Sequence, residues 1–222
     1  MPETLIRQAQ QQGIAIEVVP FIKIVPRDSP ELKQQVARLA GEPLTALFTS
    51  VHSVLQVKKL LKAPPQWTIA CIEGNTAKEA IAFFGEEALQ WTAADAAELA
   101  IKINAANKEG KMIFFCGDRR MDYLPEALTK AGKTLEEVVV YETHLLPVKI
   151  MKDYDAVLFF SPSAVESFFL LNTLAAHTIP FAIGNTTAQS LEQYTNHNII
   201  VSPAHRAGAM IEQIIAFYND EK

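Results

Sequence analysis

Two consecutive phrases decide the fold of this chain: DAVLFFSPSAVESFF at residues 155–169 and FAIGNTTAQSL at residues 181–191. In each phrase an apolar run stops at a hydroxyl-rich turn and a helical pattern follows at once, which predicts a buried strand that feeds a helix. Two such turns in succession lie at the same edge of a parallel sheet and direct helix N-termini toward it. Because the first N–H groups of a helix have no partner within the helix, this edge favours an anionic ligand.

The same pair of phrases occurs earlier in the chain, as TALFTSVHSVLQV at residues 45–57 and IACIEGNTAKEA at residues 69–80. Ser50 aligns with Ser161, and the two Gly-Asn-Thr turns align with a slip of one residue. The separation is much longer than the roughly 20–50 residues of a solenoid repeat. We therefore predict a duplicated α/β chain with two related lobes that carry the same turn chemistry.

Predicted helices and strands alternate along the chain, which is typical of parallel sheets covered by helices on both faces. We expect an inserted lobe at residues 28–141 and a discontinuous lobe that combines residues 1–24 with residues 145–222. Extended linkers at about 21–27 and 142–147 run in opposite senses, so they are expected to pair as a two-stranded antiparallel connection.

The discontinuous lobe is expected to contain strands at 14–19, 155–160, 181–183 and 199–201. A flavodoxin-like lobe begins with a strand in the middle of its sheet, whereas this sequence opens with a helical pattern. We therefore expect that the first strand of this lobe is missing from the sequence.

Composition excludes several classes of protein. The chain has 222 residues, 49% hydrophobic and 20% charged, with a net charge of −5 and no run of more than two basic residues, so a nucleic-acid partner is not expected. No apolar run is long enough to span a membrane and the first residues lack a signal-peptide pattern, so we expect a cytoplasmic protein. Cys71 and Cys116 fall in predicted strands without metal-binding spacing and are expected to be reduced core residues.

Candidate ligand contacts follow the predicted strands, and each has an ordinary structural alternative. The hydroxyl residues of the turns are good helix caps as well as possible ligand contacts. Arg119 can bind a carboxylate or remain a surface charge, and Tyr141 can face a ligand or pack at a lobe boundary. The histidines show no metal-binding spacing, and neither a P-loop nor a dinucleotide motif occurs, so no metal or nucleotide cofactor is expected.

Six motifs occur in a fixed order over nearly the whole chain: Phe48-Thr49-Ser50, Gly74-Asn75-Thr76-Ala77, Gly117-Asp118-Arg119, Val140-Tyr141-Glu142-Thr143, Phe160-Ser161-Pro162-Ser163 and Gly184-Asn185-Thr186-Thr187. As an ordered set they resemble the uroporphyrinogen-III synthase family. The resemblance implies two flavodoxin-like lobes and a monomeric, cofactor-free lyase of tetrapyrrole biosynthesis. Its substrate would be hydroxymethylbilane, a linear tetrapyrrole with eight carboxylates, which cyclises to uroporphyrinogen III with inversion of ring D and loss of water.

The resemblance also implies roles for individual residues. Tyr141 takes the place of the tyrosine that assists departure of the substrate hydroxyl. The implied substrate contacts are Ser50, His52, Thr76, Arg119, Ser161, Ser163, Thr186 and Thr187.

Two features depart from the family pattern. The opening strand has no counterpart, and His52 stands where relatives often carry a stronger base. The competing interpretation is a non-catalytic two-lobe binding protein for a small anionic ligand. Such a protein would share the duplicated turns but would not require Tyr141 or the Gly-Asp-Arg turn.

Overall fold

A computed structural model describes residues 2–106 and 110–220. The chain divides into two compact units, one formed by Ile24–Thr143 and the other by Met1–Lys23 together with His144–Lys222. We call them the continuous unit and the discontinuous unit.

The helices and strands follow one another in mixed α/β order. They are α1 (Glu3–Gln11), β1 (Ile22–Pro26), α2 (Pro30–Leu39), β2 (Thr45–Phe48), α3 (Val51–Leu60), β3 (Thr68–Ile72), α4 (Asn75–Phe84), β4 (Leu89–Ala93), α5 (Ala96–Ala105), β5 (Met112–Gly117), α6 (Tyr123–Lys130), β6 (Leu135–Leu145), β7 (Ala156–Phe159), α7 (Pro162–Phe169), β8 (Ile179–Ala182), α8 (Asn185–Glu192), β9 (Ile200–Val201) and α9 (Ala207–Asp220).

One sheet has the strand order β1-β6-β5-β2-β3-β4, and its strands from β6 to β4 are parallel to their neighbours. Strand β2 lies between β3 and β5, and all four of its residues are buried. Successive side chains of a strand point to opposite faces. Phe48 accordingly packs on Phe115 on one face, with ring centroids 5.5 Å apart, while Leu47 packs in a second core cluster with Leu99.

The discontinuous unit contains a second parallel sheet in the order β7-β8-β9. Phe159 and Phe168 pack on one face of it, in an edge-to-face contact with centroids 5.4 Å apart. Phe181, Met210 and Ile214 form a core cluster of their own. This second cluster depends on α9, the last helix of the chain.

The predicted strand at residues 14–19 is wrong, because residues 14–20 belong to no strand. The alternating isoleucines there favour an extended backbone, but a strand also needs a neighbour for its hydrogen bonds. The N–H of Ile14 instead donates to the carbonyl of Ala9 and closes the end of α1, at 3.0 Å.

Strand β6 continues without a break into residues that were predicted to form a separate linker. It lies next to β1 in the strand order, and the N–H of Arg27 donates to the carbonyl of Val140 at 2.9 Å. None of the helices in the described residues combines the length and the apolar character that crossing a membrane requires.

Candidate functional site

Tyr141 lies near the end of β6, against the backbone of Gly117 at the end of β5. The pairing of these strands shifts between Cys116 and Gly117, which brings Gly117 opposite Tyr141. A Cβ placed on Gly117 would lie 2.5 Å from Cε2 of the Tyr141 ring. Only glycine leaves room for this ring, so the Gly117 position serves the placement of the phenol.

Tyr141 and two other predicted site residues are in contact within the continuous unit. The hydroxyl of Tyr141 donates to Ser50 Oγ at 3.2 Å. Ser50 is the N-cap of α3, and the same oxygen accepts from the N–H of His52 at 3.2 Å. The imidazole of His52 meets the Tyr141 ring edge-on, with centroids 5.7 Å apart. We call these three residues the tyrosine cluster.

Burial determines the ionisation of the tyrosine cluster. It raises the pKa of the Tyr141 phenol, against a smaller opposing effect of the Ser50 hydrogen bond. It lowers the pKa of His52, because a charged imidazole loses solvation there. At neutral pH the cluster therefore holds a protonated phenol and a neutral imidazole, a pair that donates and accepts hydrogen bonds without carrying charge.

Asp118 fixes the backbone at Tyr141 and just after it, a role that the sequence analysis did not assign to it. Its N–H donates to the carbonyl of Tyr141 at 3.1 Å, and its Oδ1 accepts from the N–H of Thr143 at 2.8 Å. An aspartate directly after a strand-ending glycine is a usual turn residue, and this is the sequence signal that could have identified it.

The Gly-Asp-Arg turn contains two neighbouring arginines with different surroundings. Arg120 forms ion pairs with Glu137 and Asp122, and its Nη2 lies 2.8 Å from Glu137 Oε1. These carboxylates raise its pKa. The predicted ligand contact, Arg119, is exposed. A carboxylate ligand would have to displace Glu137 and Asp122 to reach Arg120.

The prediction that threonine caps the helix after each Gly-Asn-Thr turn is wrong. The N-cap residues are Gly74 and Gly184, and neither helix has a side-chain cap. Thr76 and Thr187 lie in the first helical turn and are only 4% and 2% exposed. Glycine supplies no side chain to cap these helices, and the N–H of Thr187 donates instead to the carbonyl of Gly184 at 3.1 Å.

The discontinuous unit carries the other predicted contacts. Ser161 is the N-cap of α7 and accepts from the N–H of Ala164 at 3.2 Å; Ser163 lies in the first turn of that helix and is half-buried. Strands β7 and β8 are parallel neighbours, so the turn after each lies at the same edge of this sheet. Thr186, in the second of these turns, is exposed.

His205 packs against the turn at Gly184, and the sequence analysis assigned it no role. A Cβ placed on Gly184 would lie 2.3 Å from Nε2 of the His205 ring. His205 follows β9, and loops after parallel strands gather at the carboxyl edge of the sheet. Its place after the last strand is the signal that could have located it.

A model of the uroporphyrinogen-III synthase HemD family matches residues 3–212. The chain belongs to this family. The uroporphyrinogen-III synthetase of Helicobacter pylori has 15% identity to the chain, with 91% of this chain and 95% of that chain covered and a TM-score of 0.62. A mutant uroporphyrinogen III synthase of the extremely thermophilic bacterium Thermus thermophilus has 16% identity, with coverages of 99% and 95% and a TM-score of 0.67. No protein in a search of the curated proteins matches the chain.

Family membership confirms the predicted resemblance and favours the synthase interpretation over the non-catalytic binding protein. The solved structures add that the mixed α/β fold is the one these synthases share. Within residues 2–106 and 110–220, no cluster of three His, Cys, Asp or Glu side chains has an arrangement that could hold a metal ion.

Proposed function

We propose that the protein converts hydroxymethylbilane to uroporphyrinogen III as a cyclising hydro-lyase, without a cofactor, as a monomer in the cytoplasm. The observation that carries this proposal is the tyrosine cluster, with its half-buried Tyr141, in a chain of this family. The protonated phenol of Tyr141 donates to Ser50 Oγ in the protein without substrate, and it would transfer this hydrogen bond to the departing hydroxyl when the substrate binds.

The first step breaks the bond between the hydroxymethyl carbon and its oxygen, and the oxygen leaves as water by taking a proton from solvent as the bond breaks. Tyr141 assists as a hydrogen-bond donor rather than as the final proton source, because burial raises its pKa and makes it a poor acid at neutral pH. The phenol stabilises the charge that develops on the leaving oxygen.

The reaction also requires that the protein hold two rings of the substrate in a particular geometry. The carbocation on ring A must meet the substituted carbon of ring D, which gives the inverted type III isomer after rearrangement, rather than the free carbon, which gives type I. Holding one of two reactive carbons in place is catalysis by orientation. The protein therefore has to grip the carboxylates of the substrate at several points.

We assign the contacts with substrate carboxylates to strand-to-helix turns of the kind that each unit carries. Ser50, Ser161, Ser163 and Thr186 present hydroxyls or first-turn N–H groups, and Arg119 and His52 add polar side chains. Thr76 and Thr187 are buried, and the N–H of Thr187 already donates to the carbonyl of Gly184, so near these two positions other first-turn backbone groups rather than the threonine hydroxyls would meet the carboxylates. Removing either threonine hydroxyl should matter less than removing the phenol of Tyr141.

The test is the isomer composition of the product. The purified protein is incubated with hydroxymethylbilane without metal or nucleotide, and the oxidised products are separated by chromatography. Mostly type III isomer supports the proposal. Only type I isomer, which forms spontaneously, from a protein with a cooperative thermal transition would contradict it.

A further inference from the structure

Gln56 is a buried polar residue on α3, the helix that begins at the tyrosine cluster. It is only 5% exposed, although glutamine lies mostly at the surface of folded proteins. Its neighbours Val54 and Val57 belong to the same core cluster as Val140 of β6. His52 of the tyrosine cluster precedes Gln56 by four residues, so the two occupy neighbouring positions on the helix surface.

The side-chain amide of Gln56 is connected to β6 through the backbone of one other residue. Its Nε2 donates to the carbonyl of Arg27 at 2.6 Å. Arg27 directly follows β1, and its N–H donates to the carbonyl of Val140 at 2.9 Å. Because Val140 precedes Tyr141 in the chain, two hydrogen bonds connect Gln56 to the backbone beside the phenol.

These two bonds and the Tyr141 hydroxyl close a ring of contacts. The hydroxyl donates to Ser50 Oγ at 3.2 Å, and Ser50 is the N-cap of α3. The helix between Ser50 and Gln56 spans about 9 Å with fixed geometry. Helix α3 is therefore attached to β6 at two points, through the phenol at its first residues and through Gln56 and Arg27 six residues later.

The Gln56 attachment is the tighter of the two. Its distance of 2.6 Å is short for an N–H donor, whereas 3.2 Å is long for the hydroxyl donor of Tyr141. Arg27 also pairs with Glu142 at 3.7 Å, but both of these side chains are about half exposed, and such ion pairs contribute little. A small displacement of α3 would therefore break the bond between Tyr141 and Ser50 before it breaks the bond of Gln56.

The buried amide of Gln56 is suited to holding Arg27 rather than to filling the core. Its Oε1 is buried and has no hydrogen-bond partner among the described residues. A buried acceptor without a partner lowers stability, so an apolar side chain of similar shape would fill this place at less cost. Such a side chain would not donate to the Arg27 carbonyl.

We propose that Gln56 is a positioning residue for Tyr141: its bond to the Arg27 carbonyl fixes α3 relative to β6 and so holds Ser50 within hydrogen-bonding distance of the phenol. Gln56 acts through Tyr141 rather than on the substrate. The inference rests on the proposed function, because the phenol is its only route to the reaction. Positioning matters here since a misplacement of about 1 Å can change a rate by about a hundredfold.

The test compares two glutamines that each connect a helix to β6. Gln56→Met keeps the length of the side chain and removes the donor. Gln35→Met is the matched control, because Nε2 of Gln35, on α2, donates to Glu136 Oε1 at 3.1 Å, near the start of β6 and five residues before Tyr141. The kcat and KM of type III formation are measured for both variants, alone and combined with Tyr141→Phe.

Gln56→Met should lower kcat by about threefold to tenfold and change KM by less than about twofold, since no substrate contact is lost. Gln35→Met should leave both constants unchanged. In the Tyr141→Phe background, Gln56→Met should reduce kcat by less than about twofold, because a hydroxyl that has been removed cannot be misplaced. Losses that multiply in the double variant would overturn the proposal.

Gln56→Asn replaces the methionine variant if that protein lacks a cooperative thermal transition. Its amide is one methylene shorter and does not reach the Arg27 carbonyl, so the same losses and the same dependence on Tyr141 are expected. Equal kcat values for the Gln56→Asn and parent proteins would overturn the proposal.

A second measurement does not depend on activity. The tyrosines are isotopically labelled at Cζ, and the resonance of Tyr141 is identified by its absence from the Tyr141→Phe spectrum. Gln56→Met should move this resonance and leave that of the exposed Tyr123 in place, and Gln35→Met should move neither. An unmoved Tyr141 resonance in Gln56→Met would overturn the proposal. If the parent protein forms only type I isomer, the proposed function is wrong, and this spectrum alone decides whether Gln56 positions the phenol.

Discussion

Tyr141 combines two tasks that a single substitution can separate. The ring fills the space above Gly117, and the hydroxyl donates to Ser50. Tyr141→Phe keeps the ring and removes the donor, so we expect the rate of type III formation to fall by roughly tenfold or more while the thermal midpoint changes little. Tyr123→Phe is the matched control, since Tyr123 is 54% exposed on α6. An unchanged rate in the Tyr141 variant would remove the phenol from the mechanism.

A Cβ added at either of two glycines would lie at a similar distance from a side chain, yet the two substitutions should differ in their effect on the free energy of unfolding. At Gly117 a Cβ meets the half-buried ring of Tyr141 at 2.5 Å, and at Gly184 it meets the tip of the exposed His205 at 2.3 Å. Gly117→Ala should reduce the free energy of unfolding by about 1–3 kcal/mol, because a packed ring has to move. Gly184→Ala should cost clearly less, since His205 can turn into solvent.

Urea denaturation of both variants measures this difference. Gly41→Ala is a control at a position where the nearest atom to an added Cβ is 3.6 Å away, an ordinary contact. Equal losses at Gly117 and Gly184 would mean that the Tyr141 ring is not fixed by its surroundings. The Gly117 variant should also lose activity, because displacement of the ring breaks the contact with Ser50.

For individual residues, the sequence predicted which positions belong to the candidate site more accurately than it predicted what each side chain does there. Ser50, His52 and Tyr141 were all predicted site residues, but nothing in the sequence places residue 50 beside residue 141, because that contact depends on strand order. The roles of Thr76 and Thr187 were misjudged for a different reason. The N-cap of a helix is the residue whose backbone angles mark the start of the helix. In both helices this residue is a glycine, which lies two residues before Thr76 and three residues before Thr187.

Among the elements, α7 offers the clearest test of local stabilisation. Ser161 Oγ accepts a hydrogen bond from the N–H of Ala164. The side chain of Ser163, at the start of the same helix, is half-buried. Ser161→Ala should lower the stability of the discontinuous unit by about 1 kcal/mol, and Ser161→Asp should restore most of it, because aspartate also caps helices.

Ser163→Ala serves as the comparison in the same turn. It should change stability by less than Ser161→Ala does, as measured by hydrogen exchange along α7 and by urea denaturation. The reverse order of the two effects would show that the Ser161 hydrogen bond does not control the start of this helix.

Most elements could be predicted from hydrophobic periodicity, because a strand that is flanked on both sides gives an unbroken apolar run. The phrase at residues 69–80, predicted to be a strand followed by a helix, contains most of β3 and the first part of α4. The failure at residues 14–19 has the opposite cause, since the apolar alternation is present but its partner is not. Apolar periodicity indicates which face of a segment could be buried, but hydrogen bonds to a neighbouring strand decide whether the segment forms a strand.

For the whole molecule, the continuous unit should fold on its own. The two core clusters that contain Phe48 and Phe114 draw all their members from within Ile24–Thr143. A fragment of residues 24–143 should therefore show a cooperative thermal transition and dispersed amide resonances. A fragment without a cooperative transition would mean that this core depends on residues of the other unit.

The division of the chain also sets an order of events during synthesis. The continuous unit is complete once Thr143 has left the ribosome, whereas the sheet of the discontinuous unit needs β9, about 60 residues later. At about 5–20 residues per second this delay lasts roughly 3–12 s. Helix α1 is made first, yet α9, against which it packs, is made last. A nascent chain of this protein therefore carries a finished unit beside an N-terminal helix that has to wait, which makes α1 a segment for chaperones to cover until translation ends.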